Sequence, residues 1–96
     1  MIKRYDIYVG CNDNVEAARE KVSQVLSKYE IGFSVIPMTG GYVHQDGTYS
    51  YESSILISIV AEEFNSVLIA EILKDTFNQE SVLISEKEIE SNFVKD

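Results

Sequence analysis

Hydrophobic patterns typical of strands and of helices alternate along this chain. In the first strand-like segment, Tyr5, Ile7 and Val9 recur at every second position, which is the period of a half-buried strand. Pro37 in the second has no amide donor, so that segment is predicted at a sheet edge, with a bulge or bend at the proline. The third is almost continuously apolar, which indicates burial on both faces. Four segments predict strands: RYDIYVG (4–10), FSVIPM (33–38), SSILISIV (53–60) and SVLIS (81–85).

Two segments between these strands repeat apolar residues at spacings of three and four, as amphipathic helices do. Asn12 or Asp13 can cap the first, with Glu16 three residues after Asp13 as in a capping box, and this helix is expected to end near Gly32. The Asn-Ser pair at 65–66 can cap the second. The two stripes are Val15, Ala18, Val22, Val25, Leu26 and Tyr29, and Leu68, Ile69, Ile72, Leu73 and Phe77.

The resulting order, βαββαβ, predicts an α+β fold, the ferredoxin-like plait, with two helices on one face of a four-stranded antiparallel sheet. Residues 1–96 are interpreted as one domain, which is the usual organisation for a chain of this length. A short C-terminal helix or tail is expected from about residue 86. Ser85 and Glu88 repeat the capping-box spacing, and Ile89 and Phe93 lie four apart.

The face of the sheet opposite the helices is predicted to be apolar. Tyr8 alternates with Val9, and Leu56 with Ile57, so both faces of these strands carry large apolar side chains. Because a monomer would expose that second face to water, the pattern predicts an oligomer.

The acidic balance, a formal net charge of −8, argues against nucleic acid as a partner and is compatible with a cationic ligand or with simple solubility. No apolar run reaches the roughly 18 residues that span a membrane, and no signal-peptide pattern opens the chain. The single cysteine, Cys11, excludes an internal disulfide and fits a reducing cytoplasm.

The segment PMTGGYVHQDGTYSYESS (37–54) gathers three of the five glycines and three of the six tyrosines. Its Asp-Gly pair predicts a hairpin. Gly40 and Gly41 allow main chain to approach a ligand closely, although from the glycines alone a β-bulge or hairpin bend is the simpler interpretation. The tyrosines also suit cross-strand packing, and Glu52 also suits a solubilising charge.

Other chemistry is sparse. The lone His44 and the absence of paired cysteines argue against a metal site, and solvent exposure is the simpler interpretation of this histidine. A nucleophilic Cys11 activated by His44 is a further alternative, for which the sequence offers no third group.

The elements TGGY (39–42), YESSILISI (51–59) and QESVLIS (79–85) resemble those of the phage-encoded S-adenosylmethionine lyases, formerly called hydrolases. The resemblance covers about residues 5–85. It implies a trimeric PII-like fold with substrate between subunits, and a substrate site formed by Thr39, Gly40, Gly41, Tyr42 and Glu52, with Tyr42 and Glu52 acting in catalysis. The spacing between Tyr42 and Glu52 is one residue shorter than in that family, and this chain has no long C-terminal extension.

The implied reaction is intramolecular and needs no metal or cofactor. The carboxylate of S-adenosylmethionine attacks its own γ-carbon, releasing 5′-methylthioadenosine and homoserine lactone. The implied setting is the cytoplasm of a phage host, where a lower S-adenosylmethionine level blunts restriction. Two alternatives remain: a non-catalytic PII-like protein that binds an adenine nucleotide, and an interaction module that uses the free sheet face. Because residues 37–54 contain no Lys or Arg for a phosphate, they favour a cationic substrate over a nucleotide.

Overall fold

The computed structural model describes residues 2–11, 14–62, 64–91 and 94, with the backbone alone at position 42. The order of its elements confirms the predicted ferredoxin-like α+β fold. Two helices cover one face of a four-stranded antiparallel sheet. The elements are β1 (Lys3–Gly10), α1 (Val15–Leu26), a 3-10 helix (Ser27–Tyr29), β2 (Ser34–Val43), β3 (Tyr49–Ala61), α2 (Ser66–Thr76) and β4 (Leu83–Glu88).

The strands are ordered β2-β3-β1-β4, so β2 is an edge strand, as the proline predicts. The predicted bulge or bend is wrong. Pairing between β2 and β3 runs without interruption from Ser34 opposite Ser58 to Val43 opposite Tyr49. An edge strand accommodates Pro37 without distortion when its missing amide belongs to the unpaired side. The two adjacent glycines therefore continue a regular ladder.

Helix caps follow the predicted chemistry at partly different residues. Asn14 caps α1 by accepting a hydrogen bond from the Ala17 amide at 2.9 Å. The predicted caps Asn12 and Asp13 lie outside the described residues. Asn65 caps α2, as expected, with a 3.1 Å bond from the Leu68 amide. Helical structure after α1 ends at Tyr29, three residues before Gly32.

The core lies between the sheet and the helices. Val22 and Leu26 of α1, together with Leu73 of α2, are fully buried, whereas the stripe residues Val15, Tyr29 and Leu68 are partly exposed. The buried apolar residues are Tyr5, Ile7, Val9, Cys11, Ala18, Val22, Leu26, Ile55, Ile57, Ile59, Ile69, Ala70, Leu73 and Phe77. None of the described helices is long and apolar enough to cross a bilayer.

The face without helices, here called the open face, carries two rows of side chains that run across the strands. Asp6, near the middle of the polar row, is only 8% exposed and lies 3.2 Å from the Arg4 Nε. Strand pairing aligns the polar row as Ser34, Ser58, Asp6 and Ser85. It aligns the apolar row as Ile36, Leu56, Tyr8 and Leu83.

The predicted Asp-Gly hairpin connects β2 to β3 through residues 45–47. The His44 amide donates to the Thr48 carbonyl at 2.8 Å, and Gly47 adopts φ 88°, the left-handed conformation that a three-residue hairpin loop requires. Asp46 Oδ1 accepts from both the amide and the hydroxyl of Thr48, at 3.0 and 2.7 Å. These hydrogen bonds, from the hydroxyl first and the amide second, lower the pKa of Asp46 below its usual value.

The sequence-based boundaries of the last two strands need correction. β3 begins at Tyr49, so Glu52 lies inside the strand and does not precede it. β4 continues to Glu88, so Ser85 and Glu88 belong to a strand and do not cap a helix. Residues 89–91 are not helical, and Phe93 lies outside the described residues.

Candidate functional site

The residues proposed from the sequence occupy neighbouring rungs of the β2–β3 ladder. Successive residues of a strand face opposite sides of the sheet. Gly40 and Glu52 therefore belong to the open face, whereas Thr39 and Gly41 belong to the helix-covered face. The backbone pairs are Thr39 with Ser53, Gly40 with Glu52, Gly41 with Tyr51, and Tyr42 with Ser50.

Glu52 lies close to the end of β1 and to the loop after α2. A Cβ atom built on Gly10 would lie 3.2 Å from Glu52 Oε1 and 2.8 Å from Gln79 Oε1. The two oxygens are therefore at most 6.0 Å apart, the sum of those distances. Since hydrogen bonds span about 2.7–3.2 Å, one ammonium group can bond to both oxygens at this separation.

Gln79 is oriented by its own hydrogen bond. Its Nε2 donates to the Phe77 carbonyl at 3.2 Å, which leaves Oε1 as the atom on the side of Gly10. The opposite amide orientation would set Oε1 against a carbonyl oxygen, which is unfavourable. Within the described part of the chain, no hydrogen bond or ion pair engages the Glu52 carboxylate. Glu52 Oε1 and Gln79 Oε1 are therefore both available as acceptors for a ligand.

A cleft of about 400 Å³ lies on the other face of the sheet, between the start of α1 and the β2–β3 ladder. Thr39 is the proposed site residue that lines it, and the neighbouring Ser53 adds a second hydroxyl. The lining residues are Cys11, Asn14, Val15, Pro37, Met38, Thr39, Ser53, Ser54 and Ile55. A single chain therefore divides the predicted residues between this cleft and the open face.

Neither Gly40 nor Gly41 has the positive φ of a bend. A Cβ on Gly41 would meet the Tyr51 ring at 3.3 Å, so the aromatic ring covers the glycine across the ladder. A Cβ on Gly40 would make only ordinary contacts, at 3.9 Å from Glu52. Among the described glycines, Gly10 is the one with the least space for a side chain.

The alternative Cys11–His44 pair is wrong. The Cys11 amide donates to the Ser53 carbonyl, whereas the His44 amide donates to the Thr48 carbonyl near the hairpin tip. Thr48 and Ser53 are five positions apart along the chain, which is about 17 Å at about 3.3 Å per residue of extended chain. The His44 ring is instead hydrogen-bonded to the Ser50 hydroxyl.

No protein-family model and no curated protein matches this chain. Its fold is similar to that of a phage SAM lyase solved in complex with S-methyl-5′-thioadenosine, at 21% identity and a TM-score of 0.72, over 91% of this chain and 81% of that one. CutA from Archaeoglobus fulgidus has 13% identity and a TM-score of 0.69, over 97% and 88%. The GlnK–ATP complex of B. subtilis has 16% identity and a TM-score of 0.65, over 90% and 81%. These similarities establish the PII- and CutA-like fold.

Sequence reasoning missed Gly10 and Gln79 as candidate site residues. Gln79 opens the segment QESVLIS, which carries part of the family resemblance, but no role follows from its position in the chain. Gly10 ends β1 immediately before the loop to α1. A glycine at the end of a strand does not by itself indicate a functional site. Gly10 comes near Glu52 through the pairing of β1 with β3, and Gln79 through the loop after α2.

Proposed function

We propose that this protein is an S-adenosylmethionine lyase that converts its substrate to 5′-methylthioadenosine and L-homoserine lactone. The observation that carries the proposal is the pair of acceptor oxygens from Glu52 and Gln79, at most 6.0 Å apart. A carboxylate and an amide oxygen at this separation suit the α-ammonium of the substrate. The acidic net charge of −8 and the lack of Lys and Arg in residues 37–54 also favour a cationic ligand.

The proposed reaction needs no nucleophile from the protein. The substrate carboxylate attacks the γ-carbon, a new C–O bond closes the lactone, and the C–S bond breaks with its electron pair passing to sulfur. The sulfonium thereby becomes the neutral thioether of methylthioadenosine, and no proton is transferred. The protein contributes by folding the substrate into an attack geometry, which intramolecular reactions reward strongly.

Glu52 serves this reaction best at the ammonium, away from the sulfonium. Positive charge at sulfur disappears as the bond breaks, so an anion beside it would stabilise the ground state more than the transition state. Tyr42 is proposed to orient the substrate through its hydroxyl. Gly40 and Gly41 are proposed to bring main chain close to the substrate, with Thr39 in the adjoining cleft.

Assembly into a homotrimer, with substrate between subunits, is part of the proposal. Ile36 and Leu83 on the open face are 45% and 65% exposed in the single chain, and a neighbouring subunit would cover them. A neighbour would also enclose the site, because Glu52 is exposed in one chain. The proposed setting is the cytoplasm of a phage host, in which the enzyme lowers S-adenosylmethionine and so counteracts restriction.

A second candidate function is binding of an adenine nucleotide without chemistry, because the same fold occurs in the GlnK–ATP complex. The test is incubation of the purified protein with S-adenosylmethionine, followed by chromatography. Methylthioadenosine and homoserine lactone in equal amounts are the expected products. Unchanged substrate would overturn the lyase, and tighter binding of ATP than of S-adenosylmethionine would support the nucleotide-binding alternative.

A further inference from the structure

Gly10 is the point at which β1, β3 and the loop after α2 converge. It pairs with Ser54 of β3, and the space that its side chain would occupy is bordered by oxygens of Glu52 and Gln79. The 2.8 Å distance from the built Cβ to Gln79 Oε1 is shorter than a carbon–oxygen contact allows. A residue with any side chain at position 10 would therefore displace Gln79 from its observed place.

The backbone does not require a glycine at this position. Gly10 lies at the end of an extended strand, and its φ is outside the left-handed region where other residues are strained. The atom that an alanine would displace is the end of a flexible side chain, so the fold can adjust at little cost. The glycine is thus explained by the arrangement of Glu52 and Gln79.

We propose that Gly10 is a positioning residue that determines recognition of a primary ammonium group, an inference that rests on the proposed function. Its missing side chain lets the Glu52 and Gln79 oxygens approach within 6.0 Å of each other. A larger residue displaces the Gln79 oxygen, and one hydrogen bond to the ammonium is lost. Gly10 itself need not contact the substrate.

The test compares Gly10→Ala with Gly32→Ala, since a Cβ on Gly32 meets nothing within 4 Å and its φ is also outside the left-handed region. For Gly10→Ala we expect KM and the calorimetric Kd for S-adenosylmethionine to rise about tenfold, as loss of a hydrogen bond to a charged group does. The kcat and melting temperature should change little, because the interaction is present in both ground and transition states. Gly32→Ala should match the wild type. A Gly10→Ala protein with wild-type KM and Kd would overturn the inference.

A second pair of variants distinguishes the route through Gln79 from a general disturbance. In a Gln79→Ala background the acceptor is already absent, so adding Gly10→Ala should raise KM and Kd less than twofold. Equal penalties in both backgrounds would mean that Gly10 does not act through Gln79. If the wild type binds S-adenosylmethionine but forms no product, the lyase proposal fails. A weaker Kd in Gly10→Ala would then still support the role of Gly10.

Discussion

Glu52 lies directly opposite Gly40 in the β2–β3 ladder, on the open face of the sheet. Its backbone is therefore paired with β2, while on the other side β1 ends at Gly10, opposite Ser54, two residues along β3 from Glu52. The side chain extends toward Gly10, and its Oε1 lies 3.2 Å from the position that a Cβ atom on Gly10 would occupy. An exposed carboxylate on a residue of a paired strand suits ligand binding more than it suits stabilisation of the fold.

Replacement of Glu52 by Gln removes the charge and keeps the shape. We expect the kcat/KM for S-adenosylmethionine to fall about tenfold or more, since hydrogen bonds to charged groups contribute about 1.5–3 kcal/mol. The melting temperature should be unchanged. Glu20→Gln, an exposed site on α1, is the matched control for the change in net charge. If folded Glu52→Gln has wild-type activity, the Glu52 carboxylate does not take part in the proposed site.

The hydroxyl of Tyr42 is tested by Tyr42→Phe, which keeps the ring. If the hydroxyl orients the substrate, product formation should fall several-fold while the melting temperature stays constant. Tyr51→Phe is the control, because Tyr51 covers Gly41 from the other face of the ladder and is 75% exposed. Both properties are measured on one preparation. Equal activity of Tyr42→Phe and wild type would assign Tyr42 to ordinary strand packing.

The proposed trimer predicts a mass of about three times the 10.9 kDa of the chain by light scattering at micromolar concentration. Ile36→Lys should dissociate it, because a charge buried between open faces is costly. Val67→Lys is the control, since Val67 is a comparably exposed apolar residue on α2. A wild-type mass near that of one chain would contradict the intersubunit site. A trimer resistant to Ile36→Lys would place the interface elsewhere.

The hairpin turn should lose stability in acid. Hydrogen bonds from Thr48 lower the pKa of Asp46 in the folded state. This group therefore contributes stability above its unfolded pKa, and the contribution disappears as the pH falls through the lower folded value. Melting curves between about pH 6 and 2 should show a smaller acid-induced loss for Asp46→Asn than for wild type. Identical losses would mean that the turn contributes nothing to the acid transition.

The fold was predictable because its signals are local. Alternation in β1, the spacing of Val22 and Leu26, and the Asp-Gly turn each depend on residues a few positions apart. Strand limits were less accurate. Ser85 and Glu88 have the spacing of a capping box, but pairing with β1 holds both in β4. Tertiary pairing thus overrides a short motif.

The candidate site was predictable only in part because its contacts join distant segments. Thr39 to Glu52 form one hairpin, so the sequence could place them together. Gly10 and Gln79 reach Glu52 through the pairing of β1 with β3 and through the turn after α2. No local sequence pattern predicts contacts between segments that are so far apart in the chain. The division of Thr39 and Glu52 between two faces likewise follows from an unbroken register that the glycines alone did not predict.

The two rows on the open face have a consequence for a second copy of this sheet that stacks on it. If the two apolar rows face each other, sliding the copy by two residues, about 7 Å, would move its leucines onto the nearly buried Asp6 and its hydroxyls onto Leu56. Both displaced arrangements leave polar groups facing hydrocarbon, which is unfavourable. The two rows therefore penalise this displaced alignment relative to one in which polar meets polar and apolar meets apolar. A uniformly apolar face could associate with a second sheet in many alignments. A face with alternating polar and apolar rows favours some alignments over others.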